Sequence, residues 1–212
     1  MNRVNNELIE ALADDLPPVR AMHFGEGMLL LGTAAGLTAV AVSMIYGLRE
    51  AAFSGAASPY FYIVNGLLVL LGIASAASVI SMALPRVGNR HDGPRWAMAM
   101  VGILPVAALI SLFAEPSGLA AFPAHEWVCT TRGLAASLLT AGALFFWLRR
   151  GAPVSAKAAG LHLGVASGAL GSAAYGLHCP IDGVAHLGIL HIAPVLITAL
   201  VGRFALPRLL RW

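Results

Sequence analysis

Six stretches of about 20 residues each are almost free of charge, and no other feature restricts the fold of this chain so tightly. A bilayer core is about 30 Å thick and a helix rises about 1.5 Å per residue, so about 20 apolar residues are needed to cross it. In hydrocarbon every backbone N–H and C=O must be paired, which leaves helices or closed barrels. None of the stretches alternates with a period of two, so barrel strands are excluded. The pattern predicts helices over roughly 24–47, 61–84, 96–115, 128–148, 158–178 and 186–206. The expected fold class is all-α, an integral membrane bundle of six transmembrane helices. Pro59, Pro85, Pro94, Pro116, Pro123, Gly151, Pro153 and Pro180 mark its connections, while Pro105 and Pro194 fall inside helices as expected kinks. Charged residues make up 11% of the chain, against about 25% in soluble domains, and this leaves no room for a soluble catalytic domain.

Orientation follows from the basic residues of the short loops. With the N-terminus inside, Arg3, Arg20, Arg86, Arg90, Arg95, Arg149, Arg150, Lys157, Arg203, Arg208 and Arg211 lie inside, and only Arg49 and Arg132 lie outside, eleven against two. Both termini are therefore expected in the cytoplasm of a bacterium, with the chain a multi-pass protein of the inner membrane and its first apolar stretch an uncleaved signal-anchor. Trp96, Trp127, Trp147 and Trp212 fall at helix ends, as interfacial anchors do. Gly32 and Gly36 form a GxxxG pair in the first helix, and Gly160, Gly164 and Gly168 a stripe in the fifth, both expected to pack against other helices. His162 and Asn65 are expected to make hydrogen bonds between helices.

Residues 1–23 separate from the transmembrane domain, 24–212. In the segment MNRVNNELIEALADDLPPVR, Val4, Leu8, Leu12 and Leu16 recur every four residues with Ile9 beside them, the apolar face of a short helix. Glu7, Glu10, Asp14 and Asp15 occupy the rest, and Pro17 and Pro18 end it. Helices that lie on anionic membranes are basic, so this one has the wrong sign. An acidic amphipathic helix suits a groove on a basic protein, and DNA-binding proteins offer such surfaces. A tail folded back on the bundle, or without fixed structure, is the competing expectation.

The two cysteines stand far apart in sequence but level in space. Counting from the inner loop, Cys129 is 20 residues from Arg149 and Cys179 is 22 from Lys157, which puts both about 30–33 Å away, at the outer boundary. His125, His178, His186 and His191 gather at that level, with Glu126, Arg132 and Asp182 nearby. Three chemistries stay open: a structural disulfide, a labile redox pair, and a transition-metal site adding histidines to the thiolates. A membrane thiol–quinone oxidoreductase would need a CxxC dithiol, which is absent, and a metal transporter would need ligands through the membrane depth rather than on one face.

The segments LIEALADDLPPVR, EWVCTTRGL, GLHCPIDGVAHLGILHIAP and GRFALPRLLRW together resemble the NrsF-type family, negative regulators of sigma factor F. These are bacterial six-helix membrane anti-sigma factors. The resemblance spans nearly the whole chain, and the GLHCP segment with its two downstream histidines is its most specific part. It implies a non-enzymatic protein that holds an extracytoplasmic-function (ECF) sigma factor at the membrane, with no direct contact to nucleic acid and only lipids as other partners. It assigns sensing of metal or oxidant to Cys129 and Cys179, and sigma binding to Leu8, Ile9, Leu12, Asp14, Asp15, Leu16, Pro17, Pro18 and Val19. No cofactor is required by this reading. A transition-metal ion at the cysteine–histidine cluster, with His178, His186, His191 or His125, is the one candidate.

Overall fold

A computed structural model describes residues 3–14, 21–84, 92–114 and 126–209. Among the described residues there is no strand, and the helices in chain order are α1 (Arg3–Asp14), α2 (Phe24–Tyr46), α3 (Glu50–Ser54), α4 (Pro59–Ala83), α5 (Asp92–Ala114), α6 (Trp127–Arg149), α7 (Ala156–Gly176), α8 (Val184–Leu190) and α9 (Ala193–Leu209). Among the described residues, five spans are long and apolar enough to cross a membrane: α2, α4, Arg95–Ala114 of α5, α6, and α8 with α9 taken together. Their outward faces carry large apolar side chains such as Leu29, Met44, Ile103, Phe113 and Phe204, all mostly exposed. Such a surface suits lipid and would drive association in water.

The remaining long helix, α7, is the centre of the bundle. Sixteen of its 21 residues are buried. Glycine makes this possible. A Cβ on Gly160 would strike Gly202 O, one on Gly164 would strike Thr198 O, and one on Gly168 would strike the Thr198 hydroxyl, so α7 and α9 meet backbone to backbone. Thr198 Oγ1 donates to Gly164 O across that contact at 2.7 Å. Gly171 offers the same close approach to α6 at Ser137, and Gly72 of α4 accommodates Leu170 of α7. A helix wrapped by protein needs no apolar exterior, which explains the Gly, Ser and His content of α7.

The ends of the bundle are set by side-chain caps and close contacts. Ser58 Oγ accepts from Phe61 N at 3.2 Å ahead of Pro59 in α4, and Ser155 Oγ accepts from Ala158 N at 3.3 Å in α7. Gly27, in the first turn of α2, lies against Ile80 and Trp147, and Gly151 lies against Ala83. The start of α2, the end of α4 and the α6–α7 turn with Arg149 and Arg150 therefore share one end. Leu31, Ile80, Ala83, Leu144, Trp147, Leu148, Leu163 and Leu206 form the core there. Cys129, Cys179, Tyr175 and Val42 pack at the opposite end.

The structure corrects several expectations. The stretch expected as one helix over 186–206 is two, interrupted at His191 and Ile192. Pro194 has no N–H for Leu190 O, and its ring cannot follow that carbonyl in a continuous helix. The Thr130 hydroxyl of α6 supplies the missing donor to Leu190 O at 2.9 Å, and Ser172 of α7 donates to His191 O at 2.6 Å. Gly32 and Gly36 have nothing within 4 Å of a Cβ position and pack against no helix. Gly32 borders an open apolar cleft of about 680 Å³ between α2 and α4, and Gly36 is exposed. Trp147 is no interfacial anchor, since it is 1% exposed and its indole N–H donates to Ile80 O at 3.3 Å. Asn65 donates back within its own helix, to Phe61 O at 2.9 Å, rather than across to another. Trp212 lies outside the described residues.

The contrast between the glycines is testable. Gly164→Leu should destabilise the detergent-solubilised protein by at least the 1–3 kcal/mol typical of overpacking, about that order or more. Gly36→Leu should stay within about 0.5 kcal/mol. Equal melting temperatures for the two variants would contradict the placement of α7 at the packed centre.

Candidate functional site: a thiol–imidazole cluster

Cys129 is the third residue of α6, and Cys179 follows α7, where the Cys179 N–H still reaches Tyr175 O at 3.3 Å. The two are free thiols with their sulfurs 3.8 Å apart. His186 comes from α8 and His191 from the interruption before α9. Residues five apart on a continuous helix point about 140° away from each other, and the break brings the two rings to 5.5 Å. One ligand atom from each of Cys129, Cys179, His186 and His191 lies within 4.8 Å of all the others, and all four residues are buried. His186 Nε2 is 3.4 Å from Cys179 Sγ, and its Nδ1 faces Glu126 Oε2 at 2.6 Å. The Glu126 carboxylate can only accept, so Nδ1 carries the proton and the Nε2 lone pair is turned to the sulfurs. His191 stacks on Tyr175 with ring centroids 6.3 Å apart.

A second set of contacts holds the Cys179 loop in place. Arg49, between α2 and α3, donates through Nη1 and Nη2 to both carboxylate oxygens of Asp182, and its Nη1 also reaches Cys179 O at 3.2 Å. Its backbone N–H donates to Leu177 O at 2.9 Å. Asp182 accepts in addition from Ser58 N at 2.9 Å. The Arg49 guanidinium holds the Asp182 carboxyl below its usual range, and Asp182 in turn raises the pKa of Arg49. The adjacent Cys129 sulfur, and then burial, push the Cys179 thiol upward. Arg132 donates to Tyr175 Oη at 3.2 Å and lies 4.6 Å over the Tyr46 ring. Both basic residues expected on this side are thus tied to the elements that carry the cluster.

Of the residues singled out in the sequence, the structure unites Cys129, Cys179, His186 and His191 and leaves His178 apart. The His178 ring packs on Tyr46 and Tyr175, with Nδ1 3.3 Å from Gly47 O. The reason is local: His178 precedes Cys179, and adjacent side chains in this turn project to different sides. His125, Asp15, Leu16, Pro17, Pro18 and Val19 lie outside the described residues. In α1, Leu8, Ile9, Leu12 and Asp14 occupy one short helix, and Ile9 and Leu12 are 62% and 61% exposed. The partnership of Glu126 with His186 and of Arg49 with Asp182 was not read from the sequence. The one available signal was that an outer-side arginine beside apolar helices needs an acidic partner.

An all-α protein with apolar helices of membrane-spanning length, carrying a buried thiol–imidazole cluster at one end and an exposed amphipathic helix ahead of the bundle, is the class these features define. Comparison with known proteins places it further. The family model described as negative regulator of sigma F matches residues 12–212, and the chain belongs to that family. It is 30% identical to the anti-sigma-F factor NrsF of Caulobacter vibrioides over 225 residues, covering 98% of this chain and 99% of the relative. No solved structure matches the chain. The family match opens at Leu12, so Leu8 and Ile9 fall just before it.

Asp182 should show itself in the pH dependence of stability. A carboxyl with a folded pKa below its ordinary value of about 3.9 stabilises fully above that value, and the contribution is lost as pH falls through the lower folded one. Asp182→Asn should cost about 1.5–3 kcal/mol at pH 7, the range for hydrogen bonds to charged groups, and should flatten the acid side of the melting profile. It should also speed maleimide labelling of Cys179, which is now fully buried. Labelling at the wild-type rate would show that the Arg49–Asp182 pair does not hold the loop.

Proposed function

We propose that this chain is a membrane-bound anti-sigma factor whose cytoplasmic N-terminal segment, residues 1–23, captures an ECF sigma factor and whose outer-face thiols trigger its release. In this reading α7 is a sixth span, both termini lie in the cytoplasm, and the chain sits in the inner membrane in direct contact with lipid. The observation that carries it is α1, in a chain that belongs to the negative regulator of sigma F family. Ile9 and Leu12 present an apolar face to solvent, and burying each against a partner is worth about 1.5–3 kcal/mol. The acidic residues beside them complement a DNA-binding partner, whose surface is basic. The burial of α7 among the other helices explains how a helix of modest apolarity can span a bilayer.

Release requires the two ends of the bundle to communicate. Shifting a partner from 99% bound to 99% free takes about 5.5 kcal/mol of bias, which is within reach of a disulfide or metal bond. The glycine-packed α7 offers one route. A more direct one is α2, because its far end is fastened through Arg49 to the carbonyls of Leu177 and Cys179 and its near end continues into the tail.

Co-purification of the sigma factor with the intact protein should disappear on deletion of residues 2–20, and Ile9→Glu or Leu12→Glu should weaken capture by about 10–100-fold. Cys129→Ser should retain capture and lose induction of sigma-dependent transcription by metal or oxidant. Arg49→Ala should likewise retain capture and blunt the response. Capture that survives the deletion sinks the assignment of the tail, and full induction in Arg49→Ala sinks the α2 route.

A further inference from the structure

The four side chains of the cluster reach it from α6, from the loop after α7, from α8 and from the α8–α9 break, and one of them is left unsatisfied. Among the described residues, neither ring nitrogen of His191 has a hydrogen-bond partner, although the residue is only 1% exposed. A buried imidazole left this way costs about 1–3 kcal/mol per unmet group, so a missing partner is called for. One of its nitrogens lies within 4.8 Å of both sulfurs and of a His186 nitrogen. A partner for His191 would have to sit among those atoms.

We propose that Cys129, Cys179, His186 and His191 form a closed, four-coordinate site for a divalent cation of the zinc–cadmium class, with Glu126 as the outer partner that orients His186. The spacing fits. Metal–sulfur bonds of about 2.3 Å and metal–nitrogen bonds of about 2.0–2.1 Å give tetrahedral edges of about 3.8 Å between sulfurs and about 3.6 Å between sulfur and nitrogen. The structure has 3.8 Å between the sulfurs and 3.4 Å from Cys179 Sγ to His186 Nε2. The chemistry fits as well. Two thiolates and two neutral imidazoles are a preferred set for borderline and soft ions. Glu126 at 2.6 Å from His186 Nδ1 is the carboxylate–histidine arrangement that fixes the tautomer and raises the basicity of the ligating nitrogen.

Charge balance favours the ion in so buried a place. When two thiols bind one divalent cation, two protons leave and the net charge of the site does not change. A disulfide is a weaker account of the same residues. It would draw the sulfurs from 3.8 Å to about 2.05 Å and would leave His186 Nε2 and both nitrogens of His191 without partners. With four protein ligands there is no open position for a substrate, so the site is one of structure or signal rather than catalysis.

The test is a titration of the full-length chain, purified in detergent, metal-free, and reduced under anaerobic conditions. Co²⁺ should bind at one ion per chain, with thiolate-to-metal charge-transfer absorption and the intense visible bands of a tetrahedral ion, and Zn²⁺ or Cd²⁺ should displace it. His191→Ala and Cys129→Ser should each weaken binding at least about tenfold and alter the spectrum, while Glu126→Gln should weaken it by about 10–100-fold with the spectrum retained. His178→Ala should bind as the wild type does. Absence of stoichiometric Co²⁺ binding by the wild-type chain, a wild-type cobalt spectrum without thiolate bands, or undiminished binding with an unaltered spectrum in His191→Ala would each overturn the site. The wild-type spectrum needs no variant to fold. Capture of a sigma factor by the tail is read separately by co-purification, so either conclusion can fail while the other stands.

Discussion

The backbone contact between α7 and α9 is the constraint on which the other packing depends. In hydrocarbon, helices gain little from hiding apolar surface from one another, so close approach and hydrogen bonding must hold them. Gly160 against Gly202, and Gly164 against Thr198, bring two backbones together where any Cβ would force them apart. Once α7 is seated there, its other faces receive α6 at Gly171 and α4 at Gly72. The helices at the rim, α2 and α5, are then free to leave most of their surface outside the protein packing, as the exposure of Leu37, Met44, Ile103 and Phe113 shows. A glycine helix of this kind is unsuited to a bundle surface and well suited to its axis.

The same logic of unmet backbone groups builds the cluster. Pro194 deprives Leu190 O of its helical donor, and interruption of the helix leaves His191 O without one as well. Thr130 and Ser172 answer both, from α6 and α7. Those two hydroxyls lock the break against the helices whose ends carry Cys129 and Cys179. The polar repair of a helix defect therefore positions His191 beside the sulfurs. Gly133 contributes by admitting Pro194 against α6 at a point where a side chain would crowd it.

Much of this was legible in the sequence, and the limits have physical causes. Residue counts from a shared loop placed Cys129 and Cys179 at one height, and the sulfurs stand 3.8 Å apart, because helical rise is uniform. Apolar length alone pointed to six spans, and among the described residues five are long and apolar enough to cross a membrane. Rotation about a helix axis is not encoded in length, however. The pair Gly32 and Gly36 and the trio in α7 look alike as strings, yet a Cβ on either of the first would meet open space and the second faces α9. Trp147 and Trp127 both sit at helix ends, but only packing reveals that the former is buried and the latter half exposed. His178 and Cys179 are neighbours in sequence and part company in space for the same reason. The exchange of partners among Glu126, His186, Arg49 and Asp182 joins residues 60 and 133 positions apart, beyond any periodicity.

The cluster and the start of α2 lie at opposite ends of the bundle, and distance alone limits how they can be linked. A side-chain rearrangement at Cys179 dies out within a few ångströms unless a stiff element carries it. Only α2 touches both ends and is also covalently continuous with the tail. Near the cluster it is held by few contacts: Arg49 N to Leu177 O, the Arg49 guanidinium to Cys179 O and Asp182, His178 Nδ1 to Gly47 O, and the Tyr46 ring against Tyr175, His178 and Arg132. Along its length it buries a narrow line of Gly27, Leu31, Ala34, Thr38 and Val42, and the cleft beside α4 leaves it room to tilt. A helix anchored at one end by bonds to the loop that carries Cys179, and bordered by open space, has the mechanical properties of a lever. The glycine-locked α7, by contrast, is the fixed body against which such a lever would move.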